Sequence, residues 1–188
     1  ADEGKGEFEF FAQPFTIEGV IRIEHDFTMT INENQELRIE MIVAFHDKEN
    51  RSEYRLNFYG GTDIVNFKAY EYENKTQLQE MFQKDGATYR LGAFFKKPKS
   101  GDYRILLVFD WIGYIKKTEG DQYRLSWSWG TSINPEPQRY TVNLPSGSVL
   151  VDTGALNCTQ KQEEDRTIVS FNGISTPLQS FKWSIVYR

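Results

Sequence analysis

The sequence predicts an all-β protein, a β-sandwich of broadly immunoglobulin-like type. Two observations carry this reading. Apolar and polar side chains alternate with a period of two through most of the chain, as strands with one buried face require. Turn-forming residues interrupt the alternation often, so the strands are many and mostly short. Of the 188 residues, 39% are hydrophobic and 15% aromatic. That is enough apolar surface for a core without covalent staples, and too much for a disordered chain.

The elements follow in order. Ile21, Ile23, His25, Phe27, Met29 and Ile31 share one face, opposite Arg22, Glu24, Asp26, Thr28 and Thr30. After the polar turn Asn32 to Glu36, the apolar face resumes with Leu37, Ile39, Met41, Val43 and Phe45. This is a long hairpin with one buried side. A turn over Asp47 to Ser52 leads to Tyr54, Leu56 and Phe58, Gly60-Gly61 breaks the chain, and Ile64 to Tyr72 forms another strand. One segment has a different period. Leu78, Met81 and Phe82 stand at i, i+3 and i+4, with Thr76 and Gln79 spaced as a capping box and Gly86 placed to end a helix. The spacing predicts one short helix over Thr76 to Lys84.

Asp85 to Leu91 places a glycine turn before Tyr89, and the pattern returns at Gly101-Asp102-Tyr103 and Gly120-Asp121-Gln122-Tyr123. The first copy resembles the tyrosine corner of immunoglobulin-like sandwiches. Lys96-Lys97-Pro98-Lys99, with Gly101 after it, reads as a solvated turn. Ile105 to Phe109 is apolar on both faces and fits a central strand. Tyr123, Leu125, Trp127 and Trp129 alternate with Arg124, Ser126 and Ser128. Tyr140, Val142 and Leu144 precede Pro145, and Ser148 to Val151 resumes. Thr167 to Phe171 and Phe181 to Tyr187 form a last hairpin around Asn172-Gly173. The sum is about eleven strands with one short helix. The expected organisation is a frayed N-terminus over 1–7 and a single large sandwich over 8–188. The alternative is two sandwiches split near 96–101.

Charge and motifs exclude several function classes. There are 22 Lys and Arg against 27 Asp and Glu, a net charge of −5. An acidic balance repels phosphate backbones, so no nucleic-acid partner is expected. No apolar run is long enough to span a membrane as a helix. The single cysteine, Cys158, allows no internal disulfide and no cysteine-based zinc site, and only His25 and His46 could assist it as a nucleophile. His25 falls on the apolar face and is expected to be a neutral core histidine. No calcium loop, phosphate loop or dinucleotide fingerprint is present, and no cofactor is expected. Val149-Leu150-Val151-Asp152-Thr153-Gly154-Ala155 resembles the active-site signature of retropepsin-like aspartic proteases. That family pairs two such aspartates, so one copy demands a dimer. The competing reading is an Asp-Thr-Gly turn after a strand. Trp127 and Trp129 lie on one face and are the candidate ligand aromatics of a carbohydrate-binding module. Their phase continues Tyr123 and Leu125, which favours the core.

Further stretches carry a family pattern: Asp102-Tyr103-Arg104-Ile105, Leu125-Ser126-Trp127, Tyr140-Thr141-Val142-Asn143-Leu144-Pro145-Ser146-Gly147 and Phe181 to Tyr187. The pattern resembles the β-rich extracytoplasmic regions of uncharacterised prokaryotic membrane proteins, domains of unknown function. The resemblance implies a tethered, non-enzymatic ectodomain, extracytoplasmic and membrane-anchored. The expected function is that of a binding or structural ectodomain, with an unknown protein or glycan as its partner. It supplies no catalytic residue. The strong strand at the C-terminus fits a natural protein that continues into an anchor.

Overall fold

The computed structural model describes residues 21–60 and 62–188; the expected frayed segment 1–7 lies outside the described residues. The described chain is all-β. Twelve strands occur in the order β1 (Ile23–Ile31), β2 (Leu37–Tyr59), β3 (Asp63–Glu71), β4 (Gln79–Asp85), β5 (Thr88–Ile112) and β6 (Lys116–Lys117). They continue with β7 (Tyr123–Trp129), β8 (Glu136–Asn143), β9 (Leu150–Asp152), β10 (Thr159–Glu163), β11 (Arg166–Ser175) and β12 (Phe181–Tyr187). An eight-stranded sheet has the order β10-β11-β8-β1-β2-β5-β3, with β4 also paired to β5, and a four-stranded sheet has the order β6-β7-β12-β9. Pairing is antiparallel except where β1 runs parallel to β8.

The alternation holds where it is strongest. His25, Phe27, Met29 and Ile31 of β1 are buried, as are Leu37, Ile39, Met41, Val43 and Phe45 of β2. Ile105 to Phe109 lies within β5, between β2 on one side and β3 on the other. Ile105, Leu107 and Phe109 are buried on one face, and on the other Val108 is buried and Leu106 half-buried.

The short helix is absent. Thr76 to Lys84 instead leads into β4, which pairs with β5 from Gln79 opposite Phe94 to Asp85 opposite Thr88. The connection is the two-residue turn Gly86-Ala87, with Gly86 at φ 59°. Glycine at the first position of a two-residue turn supplies the positive φ that a tight hairpin needs, which outweighs three residues at helical spacing. Phe82 rests on Phe67 and Tyr89 across the strands, with ring centroids 5.9 and 5.8 Å apart. Tyr89 donates its hydroxyl to Asp63 Oδ1 at 3.4 Å, a side-chain partner where a tyrosine corner uses backbone.

Two expected turns are interior to strands. Asp47 to Ser52 belongs to β2, and Lys96 to Gly101 belongs to β5; the two stretches oppose each other through register shifts at Asp47/Arg51 and Arg51/Glu53. Arg51 Nε donates to Asp47 Oδ2 at 2.6 Å across the irregularity, and its guanidinium lies 5.0 Å from the Phe45 ring centre. These bulges fold the ribbon back on itself. A straight strand would separate Phe45 and Tyr54 by roughly 30 Å, yet their ring centroids are 5.5 Å apart. Phe58 likewise reaches Phe109 at 5.5 Å and Trp127 at 5.5 Å. Asn172-Gly173 is not a turn either. Both residues lie inside β11, which belongs to the large sheet, whereas β12 belongs to the small one. Gly173 is needed there because a Cβ would sit 2.1 Å from the Phe181 ring.

At the folded ribbon Gly92 opposes Arg55, and a Cβ on it would lie 2.0 Å from the Tyr54 carbonyl oxygen. Backbone cannot yield as a side-chain tip can. Gly92→Ala is therefore expected to destabilise the protein by about 2–3 kcal/mol. Gly130→Ala, where a Cβ meets nothing within 4 Å, is the near-neutral control. Urea denaturation of the two variants checks this.

Candidate functional site

β7 and the first half of β12 turn their even-numbered side chains outward. Arg124, Ser126 and Ser128 of β7 and Lys182 of β12 are exposed, and Ser184 of β12 is half-buried. Ser126 and Ser184 oppose each other, with their hydroxyl oxygens 3.3 Å apart. Small side chains at these positions leave a trough of about 840 Å³ over the sheet. Ser126, Ser128, Lys182 and Ser184 form its floor. Tyr114 stands on one side and the loop from Thr153 to Asn157 on the other; Asn172 and Phe181 border it.

Both sides are held by identifiable contacts. Tyr114 stacks on Trp111 at 4.0 Å and donates its hydroxyl to the Ser126 carbonyl. Burial pushes that hydroxyl's pKa up to about 12, so it stays a donor at any physiological pH. The loop begins where Asp152 Oδ1 accepts the Gly154 N–H at 2.8 Å, with Gly154 at φ 60°. The Leu156 N–H then donates to the Thr153 carbonyl at 3.2 Å, and Leu156 and Cys158 pack against the core. The Asp-Thr-Gly motif is thus an Asx turn that starts a wall of the trough.

Of the candidate ligand aromatics, Trp127 borders the trough only from beneath its floor, and Trp129 does not line it. Trp127 is 3% exposed, and its indole meets Phe27, Phe58 and Trp111 edge-on or tilted. Trp129 is half-buried and donates Nε1–H to Glu136 Oε2 at 3.0 Å. It also leans on the His25 ring at 4.6 Å. Trp127 is therefore closed to a sugar ring, and Trp129 is held by His25 and Glu136 with only part of its surface exposed. The sequence signal that could have found the trough was the opposite phase, the serines between the tryptophans.

The two histidines sit in contrasting settings. His25 is buried, with Nε2 3.0 Å from the Tyr54 hydroxyl and Nδ1 without a hydrogen-bond partner among the described residues. Burial lowers its pKa to about 3. His46 lies on the outward face of the large sheet, with Nε2 2.9 Å from Glu24 and Nδ1 2.9 Å from Asp102. Partial burial pulls its pKa down, but the two hydrogen bonds and the two carboxylate charges outweigh that and leave it raised. Among the described residues no three His, Cys, Asp or Glu side chains are grouped to hold a metal ion.

No family model matches the chain. No curated protein matches it either. Solved structures do. The fold is similar to an M1 zinc metallopeptidase from Deinococcus radiodurans, at 12% identity and a TM-score of 0.55. The same holds for a form of it bound to a Tyr-Ser-Ala substrate, at 11% identity and 0.55. A two-domain M1 zinc metallopeptidase bound to L-arginine matches at 10% identity and 0.52. Each likeness covers 90% of this chain and 42% of the other, so the chain spans less than half the length of the structures it matches. At such identities the likeness is one of fold. The His-Glu-x-x-His zinc motif does not occur in the 188 residues, since Asp follows each histidine.

The histidines give opposite pH dependences. For His25 the folded pKa lies below the unfolded value of about 6.5. The unfolded chain then takes up a proton that the folded core refuses, so stability falls from pH 6.5 towards 3. The loss from this residue is on the order of 4 kcal/mol. His25→Gln, which stays neutral and can still accept from Tyr54, is expected to flatten that slope in urea titrations at several pH values. For His46 the folded pKa is raised. Its contribution is full below pH 6.5 and disappears as pH rises through the folded value. The stability gap between wild type and His46→Gln is therefore expected to be widest in mild acid and to close towards pH 8.

Proposed function

We propose that this chain is a non-catalytic binding domain of a longer protein, with its ligand site in the trough of the small sheet. The observation that carries the reading is the trough itself. It combines a floor of small hydroxyls, two walls fixed by hydrogen bonds and core anchors, and one charged side chain, Lys182. Its volume lies in the range of ligand pockets. Among the described residues its lining holds no histidine, cysteine or carboxylate beside the serines. The matched M1 structures support the view of the sandwich as one part of a larger chain. The resemblance to tethered prokaryotic ectodomains supports an extracytoplasmic, membrane-anchored setting; a natural gene encoding an apolar segment of about 20 residues beyond the sandwich is the expected finding.

Ser126→Trp fills the floor from an exposed position and leaves the core untouched. Peptide and glycan arrays probed with wild type and this variant are expected to show ligands held by the first and lost from the second. Three results would overturn the reading: no ligand on either array, equal binding by both proteins, or turnover of peptide, ester or glycoside substrates by the purified chain.

A further inference from the structure

The trough has a main-chain side as well as a side-chain floor. Arg188 exchanges both main-chain hydrogen bonds with Val149, at 2.8 and 3.0 Å. Its N–H and C=O therefore point away from β7, on the side where β9 lies. A register shift between Val186 and Tyr187 places one extra residue, Val151, in β9 and none in β12, and antiparallel ladders alternate, so Val186, Ser184 and Lys182 point the same way. The Ser126 carbonyl confirms the phase. Ser126 opposes Ser184, and its oxygen faces the far edge of β7, where Tyr114 donates to it. On its own side, β9 ends at Asp152 opposite Val186. The chain then leaves as the trough wall and reappears in β10 of the other sheet. Among the described residues, nothing bonds to the main-chain groups of Lys182 and Ser184 on that side. The strand has no proline, glycine or bulge there to discourage pairing.

We infer that this edge of β12 takes up an extended peptide bearing an acidic side chain, which adds to the small sheet as a strand at Lys182 and Ser184. The inference rests on the trough being a binding site and names its ligand class. Main-chain hydrogen bonds supply affinity in strand addition, and flanking side chains supply selectivity. Selectivity here is charge. Among the described residues Lys182 is the one ionised side chain lining the trough, and Asp152, the carboxylate that precedes the wall, is turned to its own loop through Gly154. A carboxylate beside Lys182 is thus attracted without opposition, in a chain whose net charge of −5 repels acidic peptides elsewhere.

The test is panning of short randomised peptides on the whole chain, counter-selected on Ser184→Trp. Enriched peptides are expected to carry Asp or Glu and β-branched residues and to lack proline. Methylation of alternate backbone nitrogens in the best peptide is expected to abolish binding in one phase and spare it in the other. Lys182→Glu is expected to weaken binding by roughly tenfold or more and to shift selection towards Lys-bearing peptides. In hydrogen exchange, the Lys182 and Ser184 amides should exchange quickly in the free protein and slow when peptide is bound. Amides already protected in the free protein, indifference to methylation, or no enrichment would overturn the inference. A glycan lost with Ser126→Trp, with no peptide selected, would keep the trough as a site and refute the strand. Peptides selected equally by the counter-selection variant would refute both.

Discussion

The layer of rings between the two sheets holds the molecule together. Phe27 and Tyr140 stack at 4.7 Å and nearly parallel, and Phe171 stacks on the other side of Tyr140 at 5.1 Å. These three come from β1, β8 and β11 of the large sheet. From the small sheet Trp183 meets Tyr140 and Phe171 edge-on, and Trp127 meets Phe27 the same way. Edge-to-face contacts between stacked rings and indoles fix the spacing and angle of the sheets more narrowly than aliphatic packing would. Tyr140 brings its hydroxyl into this layer and pairs it with Gln138 Oε1 at 2.7 Å, while Gln138 Nε2 donates to Ser175 Oγ at 2.7 Å. Ser175 Oγ in turn donates to the Trp129 carbonyl at 3.3 Å. The buried polar chain therefore crosses from one sheet to the other, and it ends on β7, the strand that carries half of the trough floor.

Placing the indoles in that layer decides what faces outward. Because Trp127 and Trp183 point in, Ser126, Ser128, Lys182 and Ser184 must point out. This much was legible in the alternation of β7 and β12. Alternation cannot say whether an outward face is flat or concave. Concavity comes from Tyr114 and the Thr153 to Asn157 loop, which are close to the serines only in three dimensions. The Asp-Thr-Gly motif was legible as a turn, but its place beside Ser184 was not.

The misread segments share a physical cause. Asp47 to Ser52 and Lys96 to Gly101 are polar because the paired β2 and β5 ribbon folds back there, and apart from the buried Asp47 its side chains are exposed or half-buried. Without a buried face, a strand loses its period-two signal and looks like a loop. The opposite ambiguity affects β4, whose buried residue Leu78 precedes the strand while Met81 and Phe82 cover only a sheet edge. In both cases the partner strand dictates the conformation, and partner strands are distant in sequence. Asn172-Gly173 fails for a related reason: glycine is there for a close approach of Phe181, not for a turn.

An open edge is ordinarily a hazard, since any other strand can pair with it. The position of Lys182 bears on which strands can. If two copies of this chain joined antiparallel through β12, the two-fold symmetry of the pair would bring Lys182 of each close to the other across the seam. Like charges opposite one another destabilise a strand pair, so self-association is penalised by the residue that favours an acidic strand. A neutral side chain at this position would leave the edge open to both. A carboxylate would exclude acidic peptides and add to the net charge of −5. A lysine on the free edge separates the two outcomes.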